Sequence, residues 1–207
     1  FCDDTFTVNR SRVLKICELL STLRPKVAWS CDANVMTVDR EMLRAMRRAG
    51  CWSVSFGLES GSREVLASLD KDIDLVRAAE VIRWTRAEGI RAKGLFMLGT
   101  PEESLDTIRA TREFIKGVPL TSINLSKFTP YPGTRCGASF AGELAGLHDM
   151  MNGMNFIVPS RHLDIGQLER EYRGIIRDFF QTPSTMPEQY SITIGTWQNF
   201  VRFLTAA

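Results

Sequence analysis

Glu59 stands between two glycines in the run Gly57-Leu58-Glu59-Ser60-Gly61-Ser62. Glycine admits positive φ and lets a ligand come close to the main chain. A carboxylate placed there can bind ribose hydroxyls, as acidic residues do in dinucleotide folds. On this run alone a second reading stays open, in which Ser60 or Ser62 caps the next helix and Glu59 is a solvated turn residue. Asp3-Asp4 can hold a metal, an ammonium group or only water. Adjacent strand residues point to opposite faces, so at most one of the two faces a barrel axis. Gly99, just before a helix, can offer free backbone amides to an anion, but no G-x-G-x-x-G or Walker pattern accompanies it. Glu103 is expected to be structural, completing a capping box with Thr100.

The remaining reactive side chains form no readable set. Cys31 and Cys51 read as small buried residues. His148 and His162 share no metal-ligand spacing with any cysteine, and no Ser-His-Asp or Cys-His arrangement is present. Met36, Met42, Met46 and Met97 are expected in the core. Met150, Met151 and Met154 read as packing, with a flexible pocket wall as the other possibility.

These residues need elements to position them. Short β-like runs alternate with amphipathic helices. Strands are expected at Phe1–Asp4 (the tail of one), Val27–Cys31, Cys51–Phe56, Ile90–Leu98 and Ser122–Phe128. Between them, Asn9 caps a helix with Val13, Ile16, Cys17 and Leu20 inward. A second helix covers Asp39–Arg48, helical residues follow Gly61-Ser62, and another helix carries Leu75, Ala78, Ala79 and Ile82 inward. Thr100-Pro101-Glu102-Glu103 reads as a helix start, with Leu105, Ile108, Phe114 and Ile115 inward. The spacing fits repeated βαβ units and a parallel sheet with helices outside. Both a doubly wound sheet and a (β/α) barrel satisfy it. In either, the loops after the strands carry ligands, and here those loops are the polar and Gly-rich ones. After Gly133 the pattern becomes irregular. Leu163–Phe180 is an amphipathic helix, Pro183 and Pro187 break it, and a last helix is expected over Thr196–Leu204. The division is a core at 1–133 and a mainly helical extension or cap at 134–207.

Composition narrows the class. The chain has 207 residues, and its 26 basic and 24 acidic residues leave a net charge of only +2. No basic stripe marks a nucleic-acid partner. Apolar residues are 44%, which excludes disordered and low-complexity classes. No apolar run is long enough to span a bilayer. Five cysteines without repeated short spacing argue against a disulfide scaffold and for a reducing, cytoplasmic setting. The opening Phe1-Cys2-Asp3-Asp4 reads as a cut through a strand, so the sequence is expected to be a fragment.

Three motifs, each at a strand end and in order, carry a resemblance: Gly57–Ser62, Phe96-Met97-Leu98-Gly99-Thr100-Pro101, and Lys127-Phe128-Thr129-Pro130-Tyr131-Pro132-Gly133-Thr134. Together they resemble the radical S-adenosylmethionine (radical SAM) superfamily, within it the enzymes that carry an N-terminal cobalamin-binding domain. The resemblance implies a partial (β/α)6 TIM-like barrel whose first strand is missing here. It implies S-adenosylmethionine and a [4Fe–4S] cluster as cofactors of the full-length enzyme, with cobalamin as a third, an electron donor for the cluster, and a small-molecule or lipid-like substrate. By motif position, Asp3 and Asp4 would lie near the methionyl amine. Glu59, with Ser60 beside it, would bind the ribose hydroxyls or the amine. Leu98, Gly99, Thr100 and Pro101 would pass along adenine and ribose. Lys127 and Tyr131 would line the adenine side, Tyr131 by stacking or hydrogen bonding. Cys31 and Asn34 would face the same cavity and touch substrate.

One departure is large. The family's Cys-x3-Cys-x2-Cys loop is absent from this sequence, and without three thiolates no such cluster forms. The missing N-terminal segment of the same protein would have to supply it, and the isolated chain is expected to be inactive. Two other readings follow: a noncatalytic or degenerate α/β nucleotide-binding module, and a Mg²⁺-dependent hydrolase or lyase built on Asp3, Asp4 and Glu59.

Overall fold

A computed structural model of the chain describes residues 1–140 and 151–181. Four parallel strands form its centre: β1 (Trp29–Ala33), β2 (Cys51–Glu59), β3 (Arg91–Leu98) and β4 (Ser122–Lys127), in that spatial order. Helices fill the crossovers. α1 (Arg10–Thr22) precedes β1, and α2 (Arg40–Arg48) joins β1 to β2. α3 (Arg63–Ser68) and α4 (Leu75–Ala87) join β2 to β3, and α5 (Leu105–Gly117) leads to β4. α6 (Arg135–Ser139) and α7 (Ile165–Phe180) follow. A doubly wound sheet reverses its strand order at a switch point. The four described strands run consecutively without reversal, as in the wall of a barrel.

The helix starts follow the local chemistry. Asn9, Asp39 and Ser62 accept hydrogen bonds from Arg12 N, Met42 N and Val65 N. Asp164 and Gln167 form a reciprocal capping box at the start of α7. Two expected elements differ. Phe1–Asp4 is not a strand: the Phe1 ammonium donates to Ser30 O at 2.8 Å, its ring stacks on Phe6, and the chain turns at Asp4-Thr5. A strand needs a continuing ladder, which that single terminal contact does not provide. Thr100-Pro101 does not open a helix either. Glu103 accepts from Gly99 N–H at 3.2 Å and from Thr107 Oγ1 at 2.7 Å, and the helix starts only beyond it, at Leu105. The capping box moves to Ser104 and Thr107, and Leu105, the first helical residue, is exposed rather than inward. Met36 is also exposed, not core. The expected helix at 196–204 and both proline breaks lie outside the described residues, as do His148 and Met150.

Strand alternation divides the sheet into two chemistries. Cys31, Val54, Phe56, Leu58, Phe96, Leu98, Ile123 and Leu125 are buried against the helices. On the other face, the register sets Asp32, Ser55, Lys93 and Ser122 in one row across all four strands. Most parallel sheets are apolar on both faces, whereas this row is polar. Leu168, Ile175 and Phe179 of α7 join the same core as the strands. Arg112 and Lys116 of α5 reach Glu171 and Asp178 of α7 at 3.0 and 3.2 Å. Among the described residues, no helix is long and apolar enough to cross a membrane.

Candidate active site

The carboxyl ends of β1 and β2 open into a cavity of about 520 Å³. Of the residues expected at a site, it brings together Asp4, Asn34 and Glu59. Asp32, Asp70 and Asp72 add carboxylates, and Lys71 is the basic residue in the lining. Such a concentration of negative charge in a concave, partly desolvated space favours a cationic ligand.

Glu59 owes its position to a strained turn. Its φ is +60°, and Ser60 N–H donates across it to Leu58 O at 2.7 Å, the hydrogen bond of a γ-turn. A side chain in the left-handed region costs roughly 1–2 kcal/mol, and strain of this kind collects at functional sites. The same turn breaks the β2–β3 register between Gly57 and Glu59. Lys71 then approaches Glu59 Oε1 at 3.3 Å. It is delivered by the end of α3, where Asp70 N bonds to Ala67 O and Lys71 N to Leu66 O. That pair of bonds is a Schellman cap, with Asp70 at φ +53° in the position glycine usually takes.

Ser60 does not line the cavity. Its hydroxyl is buried against Thr111 Oγ1 at 3.0 Å, and Gly61 N–H donates to the same oxygen at 3.1 Å. Gly61 is required by packing: a Cβ there would lie 2.6 Å from Thr111 Cα and 2.7 Å from Phe114 Cβ. The second half of the Gly57–Ser62 motif is thus a clasp between β2 and α5, which holds Glu59 in place.

The other expected residues separate. Asp3 meets Arg12 at 3.6 Å and is not in the cavity lining. Cys31 has the parity of Trp29 and Ala33, so it is buried on the helical side, and Asp32 takes the open face. Asn34 lines the cavity while its side chain accepts from Met36 N. Leu98 is fully buried toward the helices. Gly99 has φ +89°, and Thr100 beside it is fully buried. Pro101 lines a second cavity of about 560 Å³ with Glu102, Cys136, Phe140 and Arg161. The turn after α3 runs between the two spaces, Leu69 lining one and Asp70 the other. Lys127 has the parity of Ile123 and Leu125 and points to α7. Its ammonium meets Glu169 and sits 5.0 and 4.7 Å from the ring centroids of Phe156 and Tyr172. Tyr131 is half exposed and donates from its hydroxyl to Met151 O at 3.1 Å. Nothing in the sequence singles out Asp70, Lys71 or Asp72. They follow a short helix whose Schellman ending has no glycine to announce it. Asp32 lies on β1, and only the register shows that it takes the open face.

The residues present do not fit a [4Fe–4S] cluster. Cys17, Cys31 and Cys51 are buried on α1, β1 and β2, while Cys2 and Cys136 lie elsewhere. Burial pushes the Cys17 thiol up to about 11, and a hydrogen bond to Cys51 followed by burial pushes Cys31 higher. Thiols held protonated are poor ligands. Among the described residues, no three His, Cys, Asp or Glu side chains converge to hold a metal ion, so the convergence that a Mg²⁺ site on Asp3, Asp4 and Glu59 needs is not found there.

The chain is 27% identical over 194 residues to the uncharacterized methyltransferase PH0819 of Pyrococcus horikoshii, covering 90% of this chain and 41% of that protein. It therefore spans well under half the length of that relative. Coproporphyrinogen III oxidase (HemN) from Escherichia coli, a radical SAM enzyme, superimposes with a TM-score of 0.61 at 14% identity, over 85% of this chain and 38% of that one. The radical SAM methyltransferase TsrM from Kitasatospora setae, solved with cobalamin and a [4Fe-4S] cluster, gives 0.55 at 19% identity, over 67% and 28%. The sequence profile of the Radical SAM superfamily matches residues 1–115. With more than half its length matched to that profile, the chain belongs to the radical SAM superfamily.

Proposed function

We propose that this chain forms the adenosyl-binding part of a radical SAM enzyme that carries out radical chemistry or methyl transfer on a small-molecule substrate. One observation carries the reading: a strained glutamate, Glu59, presents its carboxylate inside an acidic cavity at the strand tips. A carboxylate pairs well with the two hydroxyls of a ribose, and the surrounding carboxylates suit the sulfonium and ammonium charges of S-adenosylmethionine. In this reading Asp4 and Asp32 face the cationic end, Glu59 takes the diol, and the loop Gly99–Pro101 runs beside the nucleoside. Residues 1–133 supply strands of a (β/α)6 barrel, and 134–207 extend it.

S-adenosylmethionine supplies the adenosyl and methyl groups when bound. The cluster thiolates and the electron donor are assigned to parts of the enzyme other than these residues, because the cysteines here do not fit. Methyl transfer is supported by the likeness to the methyltransferase PH0819, and cobalamin as the methyl carrier by the likeness to TsrM, solved with cobalamin bound. The scattered cysteines favour a second reading for the isolated chain, a nucleotide-binding module without catalysis.

Calorimetric titration of the chain with S-adenosylhomocysteine tests the proposal. Binding that weakens about tenfold in Glu59→Gln supports it. Equal binding by both proteins contradicts it.

A further inference from the structure

We infer that Phe156 and Ser160, beyond the part of the chain that matches the family profile, are positioning residues for the ligand loop at Gly99–Glu103. The inference rests on the adenosyl reading above. Three contacts converge on that loop from one short segment. The Phe156 ring lies directly on Gly99, where a Cβ would come within 2.6 Å of Cε1. Ser160 Oγ donates to Glu103 O at 2.8 Å. Arg161 N–H donates to Pro101 O at 2.9 Å. Ser160 Oγ also accepts from Leu163 N at 2.9 Å, which fixes the hydroxyl rotamer toward Glu103. From inside the loop, Glu103 holds Gly99 N–H.

The loop is thus shaped from both sides. Gly99 at φ +89° has no side chain of its own to brace it, so the ring of Phe156 supplies the missing contact. Phe156 is itself held edge-on by Tyr172 of α7 and covered by the Lys127 ammonium at the tip of β4. The backbone that would run along the nucleoside therefore takes its shape from side chains far along the sequence. A ligand site displaced by about 1 Å can lose up to a hundredfold in effectiveness.

The test uses the whole chain and S-adenosylhomocysteine as probe, with affinity and thermal midpoint measured together. Phe156→Ala is expected to weaken binding about tenfold. Phe156→Leu also lowers the midpoint but refills the contact on Gly99, and is expected to stay within about threefold of the parent. Ser160→Ala, which keeps the core intact, is expected to cost about three- to fivefold and serves if Phe156→Ala does not fold. Unchanged affinity in both Phe156→Ala and Ser160→Ala, or in Ser160→Ala where the first does not fold, overturns the inference. Glu59→Gln, run in parallel, separates the two claims. If it weakens binding while the loop variants do not, the ribose reading stands and the positioning role falls. If it alone is without effect, the ribose reading falls.

Discussion

Lys71 Nζ lies 3.3 Å from Glu59 Oε1, and the strain that lets them meet sits in the backbone, at φ +60° for Glu59 and +53° for the neighbouring Asp70. The pair is partly solvated, so its own stabilisation is below about 1 kcal/mol. What matters is the turn. Glu59→Gly relieves the left-handed strain, offset in part by the greater entropy of an unfolded glycine, and should stabilise the fold by roughly 0.5–1 kcal/mol. The same change removes the carboxylate from the cavity. Urea unfolding and ligand titration on one variant should move in opposite directions.

Gly61→Ala should destabilise by about 1–3 kcal/mol, the range of overpacked sites. The new Cβ would meet Thr111 Cα at 2.6 Å, backbone that cannot swing aside. A urea midpoint within error of the parent would contradict the clasp between β2 and α5.

Burial raises the pKa of Glu103 above the ordinary carboxylate range, opposed by the hydrogen bonds from Thr107 and Gly99. The folded state therefore holds this proton more tightly than the unfolded state. Its contribution to stability is fully present below the ordinary carboxylate value and is lost as pH rises through the raised one. Glu103→Gln stays neutral throughout. Relative to that variant, the parent should lose stability as pH climbs above about 4, seen as diverging unfolding midpoints. Parallel pH profiles would contradict this assignment.

Lys127 is 8% exposed, while its partner Glu169 can still reach water. Lys127→Ala should cost about 2–3 kcal/mol, from the broken pair and the lost contacts with two rings. Lys127→Met keeps the packing and leaves Glu169 to hydrate, so it should cost less than about 1 kcal/mol. Equal losses in the two variants would show that charge, not packing, dominates.

Much of the fold is written locally. Asn9 and Asp39 mark helix starts because a side-chain acceptor at a helix start pairs with an amide that the helix leaves free. Three of the four strands start within one residue of their expected positions, because a buried face against a half-buried one forces alternation. Local reading failed where a tertiary partner decided the outcome. Glu103 is spaced to cap a helix at Thr100, yet the helix starts at Leu105 and the carboxylate also takes bonds from Gly99 and Thr107. Lys127 stands in a motif at a strand tip, but strand parity turns it toward α7. Cys31 and Asp32 are adjacent on β1, and only the register tells which faces the cavity. Glu59 was legible because it is flanked by glycines. Lys71 was not, because the turn that brings it there hides behind a short helix.

The proposed site depends on Glu59 meeting a ribose diol. The direct measurement compares 5′-deoxyadenosine with an analogue lacking both ribose hydroxyls, each titrated into the parent chain and into Glu59→Gln. The parent should prefer the diol about tenfold, and Glu59→Gln should abolish the preference. A parent that binds both ligands equally, or a variant that keeps the preference, would contradict it.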